Sequence, residues 1–461
     1  MDEPPESDHL GGHNDARHCT FDEIIEEIVI EQELSGNADQ ERAFRIVAER
    51  IRDGGDQLLM YIGGVGGTGK SHVIKSITKL FERLDRQREL FLGAPTGIAA
   101  ILIGGYTVHA LTMLPDKNRS DFKDLRSMWK YVKYLIIDEV SMISARFMSE
   151  ISNRLKQAKG KDYRTVDQPF GGVNMIFTGD FGQLKPVRQS ALYKHSLVND
   201  PAYRECRDSE GVSTLNGAFL WRLVNAIMLL KERKRHKDDL PYAEMLDRIR
   251  VGECHQYRPG SRQDKLSDLD ILQKRQLSYI GQHNSAHLQE FHDAPVIVGT
   301  RKVKDIINAK MIKHYALEVA ESVHLYYSKD FILQQATEGI LHDRIWGISS
   351  SITEDALGKL PLFPGMKVMV TSNLAISRRV VNGVEGIVCD IKYSTDVDNR
   401  RYASVVYVYL SGAGKISPEL EEDIVPVFPE RSSFKIRVVD STGTCYRYVS
   451  RVQLPLVPAY A

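Results

Sequence analysis

Cysteine is scarce along these 461 residues, and Cys19, Cys206, Cys254, Cys389 and Cys445 form neither a Cys-x-x-Cys pair nor a ladder of short spacings. That argues against a disulfide framework or a zinc module and fits a reducing compartment. Net charge is missing too, with 61 Lys and Arg against 61 Asp and Glu. Without an overall basic field, any nucleic-acid site has to be a local groove. No apolar run approaches the roughly 18 residues of a membrane span, and no basic N-terminal region leads into an apolar signal core. Secretion and membrane spanning are therefore not expected, and an intracellular protein is, with nucleus, cytosol and mitochondrion left open by composition. Repeats and low-complexity tracts are also lacking. With 42% hydrophobic and 26% charged residues, the chain is long enough for about three globular domains. Residues 1–20 carry little apolar content and read as a disordered tail, its His9, His13, His18 and Cys19 solvated rather than metal-binding.

Phe21 to Ile51 has a helical pattern. Leu58–Ile62, Leu90–Gly93, Tyr134–Ile137 and Asn174–Thr178 then read as buried strands between amphipathic runs, which predicts a parallel sheet with helices on both faces. A second alternating region begins near residue 215, with Pro295–Gly299 and Met366–Thr371 as candidate buried strands. From about 383 to 450 the texture turns to short β-branched runs, Gly386–Ile391, Ala403–Leu410 and Phe434–Val439, which suggests a small barrel.

Gly64-Val65-Gly66-Gly67-Thr68-Gly69-Lys70-Ser71 follows the first strand and opens the amphipathic stretch His72–Leu84. Glycines let the backbone curl around a triphosphate, and the following helix turns its positive end toward it. Lys70 would reach the β and γ phosphates and the Ser71 hydroxyl would ligate Mg²⁺, so ATP and Mg²⁺ are the expected substrate and metal. Asp138 and Glu139 close another apolar strand at its carboxyl end, where ligands sit in such sheets. Asp138 would hold Mg²⁺, and Glu139 would activate the attacking water. Gln183, beyond the Asn174–Thr178 strand, could sense the γ-phosphate.

Taken in order, Gln40, GGVGGTGKS, APTGIAA with GGYTVHA, LIIDEVSMIS, PFGGVNMIFTGDFGQLKPV, LKERKRH, and LPLFPGMKVMVTSNL with VVNGVEGIV resemble the Pif-like branch of the RecD-like superfamily 1 DNA helicases. The PFGG and VNG-x-x-G strings are specific to that branch. The loop also resembles that of fungal relatives carried by Helitron-type transposons. The resemblance implies an α/β chain with two RecA-like P-loop lobes, doubly wound parallel sheets, and a small SH3-like β-barrel insertion. Its expected divisions are a tail at 1–20, a first ATP-binding lobe at 21–190, a wedge or linker at 191–214, a second lobe at 215–380, the barrel at 381–450, and a return to the second lobe at 451–461. The second lobe is expected to be truncated, because Ala461 precedes the family's His-Lys-x-x-Gly-x-[ST] motif.

What the resemblance implies in function is an ATP-driven motor moving 5′ to 3′ on single-stranded DNA in repair, recombination or telomere maintenance. The alternative is a truncated relic that binds ATP and DNA without translocating. Expected partners are single-stranded DNA and forked or tailed duplex, bound by a monomer. Gln40 would meet the adenine edge, Gln183 would couple the γ-phosphate to lobe movement, and Arg235 would be the second lobe's arginine finger. The alternative for Arg235 is a solvated basic run, Lys231 to Lys237. Along the DNA track the family pattern falls on Thr96, Gly97, Thr107 and His109 in the first lobe, and on Thr300, Arg301, Asn308 and Asn382 in the second. His109 could equally be a buried structural histidine, and Tyr106, Phe181 and Tyr193 could stack on bases, though a core or surface role is the commoner fate of such rings. Lys185 and His236 replace the Pro and Gln usual in their motifs.

Overall fold

The computed structural model describes residues 20–114, 121–160, 168–194, 209–254, 267–291, 294–332, 334–337, 339–375, 378–440 and 443–461. The expected tail with its histidines and Cys19, Cys206, and much of the expected wedge at 191–214 lie outside the described residues. The chain divides into two compact units, Met1–Pro95 with Ile103–Ala243, and Thr96–Leu102 with Glu244–Ala461.

The first unit opens with α1 (Phe21–Glu31) and α2 (Ala38–Asp53). Thr20 and Glu23 start α1 with a reciprocal capping box, and the Asn37 side chain accepts from the Gln40 N–H to start α2. A six-stranded parallel sheet follows. It consists of β1 (Leu59–Gly64), β2 (Leu90–Ala94), β3 (Tyr106–Thr107), β4 (Tyr134–Ile137), β5 (Asn174–Gly179) and β6 (Ala226–Leu230) in the order β3-β2-β4-β5-β1-β6. Both faces are covered, which is why the central strands read as continuous apolar runs. Leu59, Leu135, Ile137, Met175 and Phe177 pack with Trp129, Met148, Ile151 and Leu155 in one core, while Met60, Ile62, Ile136 and Ile176 are buried as well. β5 lies between β4 and β1, so the carboxyl ends of these three strands sit side by side. β6 pairs in parallel with β1, so this segment extends the first sheet, and the chain divides after Ala243 rather than near residue 215.

In the second unit the strands are β7 (His324–Tyr327), β8 (Lys329–Ile332), β9 (Gln335–Ala336), β10 (Lys359–Leu362), β11 (Lys367–Val370), β12 (Glu385–Thr395), β13 (Arg401–Tyr409), β14 (Ile424–Val427), β15 (Glu430–Asp440), β16 (Gly443–Gln453) and β17 (Leu456–Pro458). Seven build a nearly closed, barrel-like sheet in the order β10-β7-β13-β12-β11-β17, with β14 on β13, and four build a second sheet, β15-β16-β8-β9. Among the described residues their pairings are antiparallel apart from one bridge, Arg401↔Tyr326. Some of these pairs are local hairpins, and others, such as β11 with β17 and β8 with β16, join strands distant in sequence. Between β12 and β13 the Asp396 carboxylate accepts from the N–H groups of Asp398 and Arg400, and Asn399 takes a φ of 60°, which returns the chain beside itself. Met366–Thr371 is the expected buried strand. Pro295–Gly299 is not: it is irregular, Ile297 is 97% exposed, and among the described residues its backbone contact is a single bond from the Val296 N–H to the carbonyl of Tyr460. Apolar content without a neighbouring strand does not make a strand.

Asn308, expected on the DNA track, is buried on the helix Arg301–Glu318. Its Nδ2 donates to the Pro458 carbonyl at 3.0 Å and its Oδ1 accepts from the Tyr460 N–H at 3.1 Å. Both ends of the amide therefore fasten the last strand. Asn308→Ala is expected to lower stability by about 1–3 kcal/mol in chemical denaturation, the cost of stranding two buried backbone groups.

Candidate functional site

β1 delivers the chain into the 65–69 loop, and α3 (Lys70–Arg83) leaves it. Gly67 and Gly69 hold φ values of 89° and 88°, where other residues are strained. Space also demands glycine. A Cβ on Gly67 would lie 2.6 Å from Arg235 Cβ, and one on Gly69 would lie 2.2 Å from Gln40 Nε2. Lys70 Nζ donates to the carbonyls of Gly64 at 2.8 Å and Val65 at 3.3 Å, and the Thr68 hydroxyl also donates to Val65, at 2.9 Å. Burial lowers the pKa of Lys70, and Asp180, Asp138 and Glu139 oppose that shift. Ser71 is exposed at the second position of α3.

Asp138 is buried at the end of β4, and its Oδ1 accepts from the Thr178 hydroxyl and from the Glu139 N–H at 2.9 Å. Glu139 adopts a left-handed backbone, φ 52° and ψ 43°, an uncommon conformation for a side chain of this type and one that concentrates at functional sites. Burial first, then the neighbouring charge of Asp138, raises its pKa, with Lys70 pulling the other way. Asp180, at the end of β5, is buried and accepts from the Gly182 N–H at 2.9 Å and from Gln183 Nε2 at 3.3 Å. A Cβ on Gly66 would lie 3.6 Å from that same Gln183 nitrogen, so the glutamine stands over the loop. Asp180 was not among the expected site residues. Its signal was the same as that of Asp138, an acid just beyond an apolar strand.

Gln40 is buried, and its Nε2 donates to the Thr68 carbonyl at 2.9 Å, bracing the loop from α2. Arg235, expected from the second lobe, is carried by the first unit on the stretch leaving β6. The N–H groups of Lys234 and Arg235 both donate to the Gly67 carbonyl, at 2.8 and 3.2 Å, while the Arg235 side chain is exposed. The basic run is thus anchored to the phosphate loop by its main chain.

The other expected contacts divide between the units. In the first, the Thr107 hydroxyl accepts from the Ala110 N–H, and His109 is exposed rather than buried, its ring stacked on Phe147 with centroids 4.4 Å apart. Desolvation on that side lowers its pKa, against the pull of Glu150. Phe181 lies among Tyr61, Tyr193 and Trp221 at 5.1–5.3 Å, a packing role, while Tyr106 is exposed. In the second unit, the Thr96 hydroxyl accepts from the Ala99 N–H, and Asn373 Oδ1 accepts from the Asn382 N–H at 3.0 Å. The same Asn373 oxygen would lie 3.1 Å from a Cβ on Gly97, so Thr96, Gly97, Asn373 and Asn382 converge. Thr300 caps the helix Arg301–Glu318, and Arg301 pairs with Asp355 at 3.1 Å. No three-way cluster of His, Cys, Asp and Glu capable of holding a metal occurs among the described residues, and no described helix is long and apolar enough to cross a membrane.

The family of PIF1-like helicases matches residues 35–259. The chain is 30% identical over 226 residues to the ATP-dependent DNA helicase RRM3 of Saccharomyces cerevisiae, covering 47% of this chain and 27% of that protein. It is 25% identical over 429 residues to the ATP-dependent DNA helicase PIF1 of Xenopus laevis, covering 87% of this chain and 52% of that one. It therefore spans about a quarter to a half of the length of these relatives. Among solved structures it resembles the Pif1 helicase from Candida albicans (TM-score 0.54, 22% identity, 92% of this chain and 83% of that chain). It also resembles the Bacteroides Pif1 helicase in complex with ADP-AlF3 and ssDNA (TM-score 0.58, 21% identity, 91% and 81%). At such identities the likeness speaks for the fold, an α/β architecture with RecA-like lobes. The matched residues 35–259, just under half of the chain, carry the P-loop, both acidic strand ends and Arg235, and over them the chain is similar to the PIF1-like helicases.

Proposed function

We propose that this chain is an ATP-driven DNA motor, hydrolysing ATP to move 5′ to 3′ along single-stranded DNA and open forked or tailed duplex. The observation that carries this reading is the gathering of Lys70, Asp138, Glu139, Asp180, Gln183 and Arg235 around one glycine-shaped loop within a single unit. Lys70 would exchange its bonds to the Gly64 and Val65 carbonyls for β and γ phosphate oxygens. Gln40 acts as a brace for the loop as well as a candidate for the adenine edge. Glu139 would take a proton from the attacking water, and Gln183, already bonded to Asp180, would report the γ-phosphate. Arg235, its main chain bonded to the Gly67 carbonyl, would turn its guanidinium to charge developing on that phosphate.

The donor set fits Mg²⁺. Ser71 offers an exposed hydroxyl, and both hydrogen bonds to Asp138 fall on Oδ1, leaving Oδ2 outside them. Bound there, the ion would neutralise phosphate charge.

For the DNA track the convergence of Thr96, Gly97, Asn373 and Asn382 supplies a hydroxyl, amides and backbone N–H groups, a set suited to gripping phosphate without reading sequence. Support for DNA as the track comes from relatives named ATP-dependent DNA helicases, from Bacteroides Pif1 solved with ssDNA, and from a structure of two coordinating Pif1 helicases at forked dsDNA. The direction, monomeric action, a nuclear location and a role in repair, recombination or telomere maintenance are part of the same proposal.

The test is ATP hydrolysis with and without single-stranded DNA, followed by unwinding of duplexes with a 5′ or a 3′ tail. DNA-stimulated hydrolysis with opening of the 5′-tailed duplex alone supports the motor. ATP binding without stimulated turnover leaves a non-translocating remnant, and opening from the 3′ tail overturns the direction. In the same assay Gln183→Ala is expected to retain ATP binding and lose most of the stimulation by DNA.

A further inference from the structure

β15 and β16 pair from Glu430↔Gln453 to Asp440↔Gly443, and β16 pairs onward with β8. Strand alternation sends Phe434, Ile436 and Val449 inward, where they are buried with Ile345. The opposite face takes Arg431, Lys435 and Arg437 from β15, Tyr446 and Tyr448 from β16, and Phe331 from β8. Two features set this face apart. Tyr446 is 62% and Tyr448 69% exposed, although large rings are ordinarily drawn into a core. Cations are interleaved with rings: Lys435 Nζ stands 4.6 Å from the centre of Tyr446 and 5.9 Å from that of Tyr448, and the Arg431 guanidinium stands 5.3 Å from Phe331.

No acid occurs in the segments 431–437 and 446–450. Glu430 falls on the alternate parity and accepts from the Ser372 hydroxyl at 2.7 Å. In a chain of zero formal charge this is a local basic field with exposed aromatic faces inside it.

We propose that this face binds a single-stranded nucleic acid, with bases stacked on Tyr446 and Tyr448 and phosphates met by Arg431 and Lys435. It is a second contact, made by none of the residues expected on the motor's track. Cations alone would serve duplex equally well. Exposed rings favour a single strand, whose bases are free to leave their neighbours and stack on protein. From 431 to 437 the strand covers about 20 Å, room for roughly three or four nucleotides.

The test uses the full chain and fluorescein-labelled oligothymidine, read by anisotropy across a salt series, with photo-crosslinking from 5-iodouracil. Tyr446→Ala with Tyr448→Ala is expected to weaken binding about tenfold, and Tyr446→Phe with Tyr448→Phe to bind as the parent does. Lys435→Gln should flatten the salt dependence. Crosslinked peptides should contain Tyr446 or Tyr448. Unchanged affinity in the alanine variant, crosslinks confined to other segments, or an equal loss of affinity for blunt duplex would each overturn the proposal. Both rings are exposed, so the alanine variant should melt with the parent, and a lowered melting temperature moves the decision to the crosslinks on the unaltered chain. DNA-stimulated hydrolysis with an indistinguishable tyrosine variant sinks this site alone. Crosslinks at the ribbon without stimulated hydrolysis sink the motor reading and leave this one standing.

Discussion

Glu139→Gln is expected to reduce ATP turnover by about 10²–10⁴-fold while leaving ATP binding in place, because the amide keeps the shape of the group and removes only its capacity to take a proton. Lys70→Ala, in contrast, should weaken binding itself. The glutamine variant should also be the more stable protein at neutral pH. The folded pKa of Glu139 is raised by burial and by Asp138, so the native state holds the proton more tightly than the unfolded chain. The stability linked to that proton is present below the ordinary glutamate pKa and is lost as pH rises through the raised folded value. At neutral pH the ionised Glu139 is therefore a cost, and Gln removes it. Thermal melts of parent and variant should differ near pH 7 and converge below about pH 4. The same raised pKa moves the acid limb of kcat/KM above that of an ordinary carboxylate, provided Glu139 is the base. A variant no more stable than the parent would count against the raised pKa, and turnover left intact by the substitution would remove Glu139 from the role of base.

Asp330→Asn is expected to destabilise the second unit by about 3–5 kcal/mol, the largest stability effect of any single change considered. Arg451 is wholly buried. Its Nε and Nη2 donate to the two oxygens of Asp330 at 2.8 and 2.9 Å, while Nη1 and Nη2 also reach the carbonyls of Ala356 and Ile345 at 2.7 and 2.9 Å. The Ser328 hydroxyl adds a bond to Asp330 at 3.1 Å, and the guanidinium lies 4.9 Å from the Phe434 ring. Asn cannot supply the counter-charge, so a guanidinium would be left buried and unpaired. Arg451→Leu should do comparable damage from the other side by stranding the carboxylate and two carbonyls. The double variant should lose less than the sum of the singles, and a denaturation cycle over the four proteins measures the coupling. Strict additivity would mean the pair does not act as a unit.

Where burial on both faces writes itself into the sequence, the structure was legible from it. Tyr134–Ile137 is a strand over the residues expected, and β1, β2 and β5 depart from expectation by a residue or two at their ends. The phosphate loop was legible because its glycines answer local demands of φ and space. What was not legible depends on partners distant in sequence. Nothing local says that Ala226–Leu230 lies beside β1, and placing it there moved Arg235 into the first unit. Asn308 reads as a polar helix residue, yet its amide is engaged by residues some 150 positions away. Pro295–Gly299 has the composition of a buried strand and lacks the neighbour that would make it one.

One consequence of the anchoring of Lys234 and Arg235 on the Gly67 carbonyl concerns interchangeability. The turn is held by amide hydrogens that almost every residue type possesses, so its shape does not depend on which side chain stands at 235. The phosphate loop in effect carries a socket on its own backbone. A guanidinium, an ammonium or a neutral amide can be mounted in it without rebuilding the floor beneath.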